Sequence, residues 1–251
     1  MEGRYQMQER FGPWGRSGQE RLRQGRALVV GLGGLGGTAA MLLARAGVGS
    51  LRLADPDHPS LDNLHRQVLY NEQDVAAGRS KAQAAESYLR SLNSQIAIEA
   101  HQVALGPGNA LELVAGCQVV LDGLDNASGR HLLNEACLKL GIPLVHAGVV
   151  QAKGQLVVVR PGQGPCLRCW FPSRREPPAG SAQLGIIGPA AACLASLQAA
   201  EALKIMLGAQ DQILEGMLSL NLWPLRIKRV EHRNWDRMAC PACRGQYELL
   251  P

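Results

Sequence analysis

The run Ala27-Leu28-Val29-Val30-Gly31-Leu32-Gly33-Gly34-Leu35-Gly36 decides the fold. Its first five residues are a short apolar stretch of the kind that occupies a buried parallel strand. Gly31 to Gly36 then fits G-x-G-x-x-G. Glycines at these places permit a tight turn and let backbone N–H groups approach a phosphate at a helix N-terminus. Residues 38–46 are rich in Ala and Leu, which predicts a helix that Gly47 and Gly49 end. Residues 50–55 read as a second strand closing on Asp55, near the spacing of a carboxylate that hydrogen-bonds a ribose hydroxyl. A bare packing turn would need no such acid, so nucleotide binding is the better reading. NAD, FAD and ATP all suit the motif.

The same rhythm continues outward. Residues 80–92 predict a helix, 96–103 a half-exposed strand, 118–122 a buried strand, 126–140 a helix and 143–147 a further strand. Alternating strands and helices predict an α/β fold with a doubly wound, mostly parallel, Rossmann-like sheet. After Gly154 the pattern changes: a strand over 155–160, a Pro-rich loop over 161–188, a helix over 189–207, then strands near 217–222 and 226–232. These later strands extend the same sheet with antiparallel members. The organisation expected is one domain over 1–251, with a polar arm (1–25), a nucleotide-binding half (26–153) and a second half (154–251).

The chain has 251 residues, 26 Lys+Arg against 21 Asp+Glu and a net charge of +5, too small and dispersed to call for nucleic acid. With 46% hydrophobic and 19% charged residues it reads as globular rather than disordered. The polar start lacks the apolar stretch of a secretory peptide. The apolar run 186–208 carries Gln198, Glu201 and Lys204 on one helical stripe, so it reads as an amphipathic core helix and not a membrane span. A cytoplasmic protein is expected. Seven cysteines, an odd number, argue against a fully paired disulfide framework. Cys166-Leu-Arg-Cys169 and Cys240-Pro-Ala-Cys243 together form a four-cysteine zinc set, in which no coordination position is open for substrate. A redox role competes less well for two such pairs. Cys117, Cys137 and Cys193 read as core residues.

Further polar residues stand at specific places: Asn63, Arg66 and Gln67, then Lys81, then Asp122-Gly-Leu124-Asp125-Asn126 with Arg130. Asn63, Arg66 and Lys81 are types that hold a triphosphate, and Asp125 after a buried strand is a type that holds Mg2+. Together with Ala46-Gly-Val-Gly49, Asp55-Pro-Asp57, Asn63-Leu-His-Arg-Gln67, Gly154-Gln155, the paired cysteines, and Gly188-Pro189 before Leu197-Gln-Ala-Ala-Glu201, these residues resemble the ThiF/MoeB/HesA family. These are bacterial relatives of ubiquitin-activating enzymes, and the likeness runs from Arg4-Tyr5 to Cys243.

The resemblance implies an ATP-dependent adenylyltransferase. It would convert the C-terminal Gly-Gly carboxylate of a small ubiquitin-like sulfur carrier, of thiamin or molybdopterin type, into an acyl-adenylate with release of pyrophosphate. By that likeness ATP would lie on Gly31, Gly33, Gly34, Gly36, Asp57, Gln67 and Leu124, with Asp55 on the ribose. Asn63, Arg66 and Lys81 would take the phosphates; Asp125 would take Mg2+, supported by Asn126 and Arg130. Arg66, Lys81 and Asp125 would carry catalysis. Residues 154–251 would bind zinc and the carrier, the enzyme would be a homodimer, and a sulfur-donor protein would act with it. Two departures stand out. The family's opening Arg-Tyr-x-Arg-Gln is here Arg4-Tyr5-Gln6-Met7-Gln8, leaving Arg10 as the nearby cation. The usual transfer cysteine falls at Ser181, so adenylation alone is expected. The competing readings are an NAD-dependent oxidoreductase, a non-catalytic binding module, and a relative that adenylates a peptide terminus or a tRNA base.

Overall fold

The computed structural model describes residues 3–172, 184–233 and 235–251. Ser181 lies outside the described residues, within the stretch 173–183 of the Pro-rich loop. The strands are β1 (Arg26–Val30), β2 (Ser50–Ala54), β3 (Ala97–His101), β4 (Val119–Asp122), β5 (Leu144–Val150), β6 (Lys153–Val159), β7 (Met217–Leu222) and β8 (Leu225–Val230). They form one eight-stranded sheet in the order β3-β2-β1-β4-β5-β6-β7-β8. The pairs from β3 to β5 are parallel, and those from β5 to β8 are antiparallel. This is the expected doubly wound half with an antiparallel extension.

Among the described residues the principal α-helices are α1 (Gln6–Glu9), α2 (Gly15–Gln24), α3 (Gly34–Ala46), α4 (Glu72–Ala76), α5 (Lys81–Leu92), α6 (Ala110–Val114), α7 (Ala127–Leu140), α8 (Leu167–Trp170) and α9 (Gly188–Leu207). The sequence reading missed α4, α6 and α8, which are one to one and a half turns long and too short for a 3.6-residue period to register. It also carried the last strand to residue 232, whereas β8 stops at Val230.

Each face of the sheet has its own core. Val29, Leu53, Leu121, Val145 and Leu156 pack with α3, α5 and α9 on one face. Leu28, Val120, Leu144, Val157 and Val159 pack with α6, α7 and the cysteine loops on the other. By length and composition α9 would pass for a membrane span, yet it lies against α3, β4, β5 and β6. Its stripe of Gln198 and Glu201 turns inward, contrary to an ordinary amphipathic helix, because both side chains have partners there. Gln198 Nε2 donates to the Asp122 and Val145 carbonyls at 2.9 and 2.8 Å. Glu201 accepts the Leu214 N–H at 2.9 Å and pairs with Lys204.

Candidate active site

The C-terminal ends of β1, β2 and β4 open into a cavity of about 530 Å3, where a doubly wound sheet places ligands. Gly31 has φ +84°, and a Cβ on Gly36 would sit 1.8 Å from the Gly31 carbonyl oxygen. These two glycines let the turn fold back on the first turn of α3. Gly33 differs: a Cβ there would meet nothing closer than Gln67 Nε2 at 3.7 Å. It is the N-cap of α3 and makes no side-chain cap, so the free N–H groups of that helix end face the cavity.

The turn is clamped at Leu32. Its N–H donates to Asp55 Oδ2 at 2.6 Å, and its carbonyl accepts the Tyr70 hydroxyl at 2.8 Å. Burial, then the carboxylates of Asp55, Asp74 and Asp57, push the Tyr70 phenol far above its ordinary range, so it remains a donor. Asp55 is buried, and its Oδ1 accepts the Asp57 N–H at 2.8 Å. A carboxylate has about four acceptor positions, which leaves Asp55 able to take a ribose hydroxyl as well. Lys81 opens α5 behind the Ser80 capping box. Its Nζ lies 3.0 Å from Asp57 Oδ2 and 3.9 Å from Asp55 Oδ1.

The structure distributes the remaining predicted residues unevenly. Gly31, Gly33, Gly34, Asp55, Asp57, Arg66, Gln67, Lys81, Leu124, Asp125 and Asn126 line the cavity. Among the described residues nothing bonds the buried Gln67 Oε1. Asn63 is not among the lining residues. Its side chain bonds Ser60, and its Oδ1 accepts Arg66 Nη2, so it positions the arginine. Gly36 packs behind the turn. Asn126 is the N-cap of α7, accepting the Gly129 N–H at 2.7 Å. Arg130 turns away from the cavity: Nη2 and Nε donate to the Leu124 carbonyl at 2.7 and 3.1 Å. It holds the loop that carries the exposed Asp125.

Three residues to which the sequence reading gave no role in the site lie beneath this loop. Asp122 Oδ1 accepts the Leu124 N–H at 2.9 Å, and Oδ2 lies 2.7 Å from His146 Nδ1. Gln198 bonds the Asp122 carbonyl, and all three are fully buried or nearly so. Asp122 was legible as a strand end and as the start of a polar block, without a partner; His146 and Gln198 come from distant parts of the chain.

A second groove of about 520 Å3 adjoins the cavity, sharing Asp125 and Val149 with it. Its floor is formed by β5 to β8 beyond the residues of that face that pack with α7 and the cysteine loops. Gly148, Gln155, Ser219 and Lys228 stand opposite one another in one row, and Val150, Lys153, Asn221 and Arg226 in the next.

Away from both, Cys166, Cys169, Cys240 and Cys243 converge, every sulfur within 4.8 Å of the others. Contacts of 3.8 Å (Cys166–Cys169), 3.7 Å (Cys166–Cys240) and 3.6 Å (Cys169–Cys243) are far too long for disulfides. They match the separation of about 3.8 Å that four sulfurs about 2.3 Å from one tetrahedral ion would have. Hydrogen bonds among the thiols hold Cys243 well below its usual range and push Cys166 well above it, so a metal would bind here with release of protons. The cluster can hold a metal.

The sequence profile of the ThiF family matches residues 5–242. The chain is 37% identical over 243 residues to the sulfur carrier protein ThiS adenylyltransferase of Bacillus subtilis, covering 97% of this chain and 72% of that one. It is 38% identical over 249 residues to the sulfur carrier protein adenylyltransferase of Thermus thermophilus, covering 96% and 90%. Among solved structures, E. coli MccB superimposes with a TM-score of 0.78 at 22% identity, over 92% of this chain and 72% of that one. A match spanning the glycine turn, the cavity and three of the four clustered cysteines means that the chain belongs to the ThiF family, whose named relatives are adenylyltransferases.

Proposed function

We propose that this chain binds ATP in the 530 Å3 cavity and adenylates the C-terminal carboxylate of a small ubiquitin-like sulfur carrier ending in Gly-Gly. One observation carries the reading: the nucleotide cavity and the sheet-face groove meet at Asp125 and Val149. A carboxylate arriving along the groove therefore ends beside the phosphates. A carboxylate oxygen attacks the α-phosphorus, a new P–O bond forms, and the bond to the bridging oxygen breaks as pyrophosphate leaves. Lys81 and Arg66 neutralise the phosphate oxygens, and the N–H groups at the start of α3 orient them. Asp125, exposed at the junction, would hold Mg2+, which supplies charge neutralisation on the phosphates. Lys81 reaches its phosphate by leaving Asp57, which is solvent-exposed, while remaining near buried Asp55.

The four cysteines would hold zinc as a structural staple, their number leaving no open position. A homodimer fits the exposure of Met7 and Phe11 on the N-terminal arm, and a cytoplasmic setting fits the free thiols. Incubated with ATP, Mg2+ and a ThiS-type carrier, the protein is expected to catalyse pyrophosphate exchange that disappears when the carrier's terminal Gly-Gly is removed. Asp125→Ala should reduce exchange by about 100-fold or more. Intact exchange in that variant would show the metal assignment to be wrong, and exchange without a carrier would overturn the substrate.

A further inference from the structure

Among the described residues the groove over β5 to β8 is lined by four basic side chains, Arg130, Lys153, Arg226 and Lys228, against one carboxylate, Asp125. Arg130 is engaged with the Leu124 carbonyl. The side chains of Lys153, Arg226 and Lys228 form no hydrogen bond or ion pair among the described residues. Elsewhere on the molecule other arginines do find partners: Arg229 pairs with Glu231, Arg168 with Glu248 and Arg160 with Glu215. Three unpaired cations gathered on one sheet face raise the local positive potential and favour an acidic visitor.

The rest of the lining says what kind. Gln155, Ser219 and Asn221 stand between the cations and offer amide and hydroxyl groups suited to a peptide backbone. Among the described residues no aromatic side chain lines the groove, although single-stranded nucleic acid is held largely by stacking on such rings. An acidic polypeptide fits this lining better than RNA does.

Resting on the proposed adenylation, we infer that this groove selects carriers bearing acidic side chains just upstream of their terminal Gly-Gly. The strand spacing fixes where. From β5 to β8 there are three strand intervals, about 14 Å in all, which about four extended residues cross. With the carboxylate at Asp125 and the two glycines at the junction, the third to sixth residues from the carboxy terminus pass over Lys153, Arg226 and Lys228.

The test uses the whole chain and fluorescein-labelled peptides ending in Gly-Gly, with Glu, Gln or Lys at the four preceding positions, read by fluorescence anisotropy at low salt. The Glu peptide should bind about tenfold more tightly than the Gln peptide, and the difference should fade as salt rises. The triple variant Lys153→Glu/Arg226→Glu/Lys228→Glu should reverse the order and prefer the Lys peptide. A reversal is a gain of binding that an unfolded protein could not produce. Equal binding of the three peptides, no binding of any, or an acidic preference that survives in the variant overturns the inference. Oligouridylate binding more tightly than every peptide overturns it in favour of nucleic acid. Carrier-dependent pyrophosphate exchange is read separately: its absence beside an intact charge preference refutes the adenylation reading and leaves the groove's selectivity standing.

Discussion

Asp122 and His146 form a buried polar pair directly under the loop that presents Asp125. Asp122 has no access to solvent, so its charge depends on the Leu124 N–H, the His146 ring and Arg130 at 4.0 Å. His146→Ala removes the closest of these and leaves Oδ2 beside a cavity. The cost expected is about 3 kcal/mol, the upper part of the range for leaving a buried polar group without its partner, and urea unfolding would measure it. A change below about 1 kcal/mol would mean that the pair contributes little. The same variant should weaken pyrophosphate exchange, because Asp122 Oδ1 fixes the peptide next but one before Asp125. Tyr70 and Asp55 act similarly on the other side, gripping Leu32 by its carbonyl and its N–H. The residues that shape the cavity are thus as often backbone holders as phosphate binders.

At the scale of elements, α3 and α7 matter most, since their N-termini meet the cavity from two sides. The start of α3 depends on Gly36, whose missing side chain lets the helix close on the Gly31 carbonyl. Gly36→Ala should destabilise by about 3 kcal/mol or more, since both sides of the clash are backbone and neither can rotate away. The contrast is Gly33→Ala, where the nearest atom is 3.7 Å away. It should fold normally and instead lose most of the melting-temperature increase that ATP·Mg2+ gives the wild type. Equal stability of the two variants would show that the glycines are not divided between packing and ligand approach. The start of α7 was read at residue 126, and Asn126 proves to be its N-cap. The inward polar stripe of α9 was not: Gln198 and Glu201 read as solvent-facing until the carbonyls of β4 and β5 and the Leu214 N–H come within reach.

For the whole molecule, the cysteine cluster ties the chain's last segment to the loop after β6. Glu135 of α7 reinforces that tie by accepting the Glu248 and Leu249 N–H groups at 3.0 and 2.8 Å. Removing the metal with a chelator should lower the melting temperature by about 5 °C or more, corresponding to roughly 2 kcal/mol for a chain of this size. Thiol labelling offers an independent reading. Burial pushes the Cys117 and Cys137 thiols up, which keeps them unreactive in the folded protein. With metal bound, only half-buried Cys193 of the seven should label readily at neutral pH; chelation should add the four clustered thiols, making five. Labelling that chelation does not change would exclude the metal site.

The sequence by itself determined the α/β alternation, the glycine turn, the acid after β2 and the two cysteine pairs. Each is a local matter: a periodicity, a backbone requirement or a ligand spacing within a few residues. The likeness to ThiF, MoeB and HesA also rested on such short blocks, and the comparisons bear that family out. Only the tertiary structure decided how these parts meet. It turned Arg130 to a carbonyl, gave Asn63 to Arg66, and stacked Asp122, His146 and Gln198 from three separate segments under one loop. It also set Lys153, Arg226 and Lys228 side by side, although the last two lie about seventy residues beyond the first. Strand pairing between remote segments creates that neighbourhood, and no window of sequence contains it.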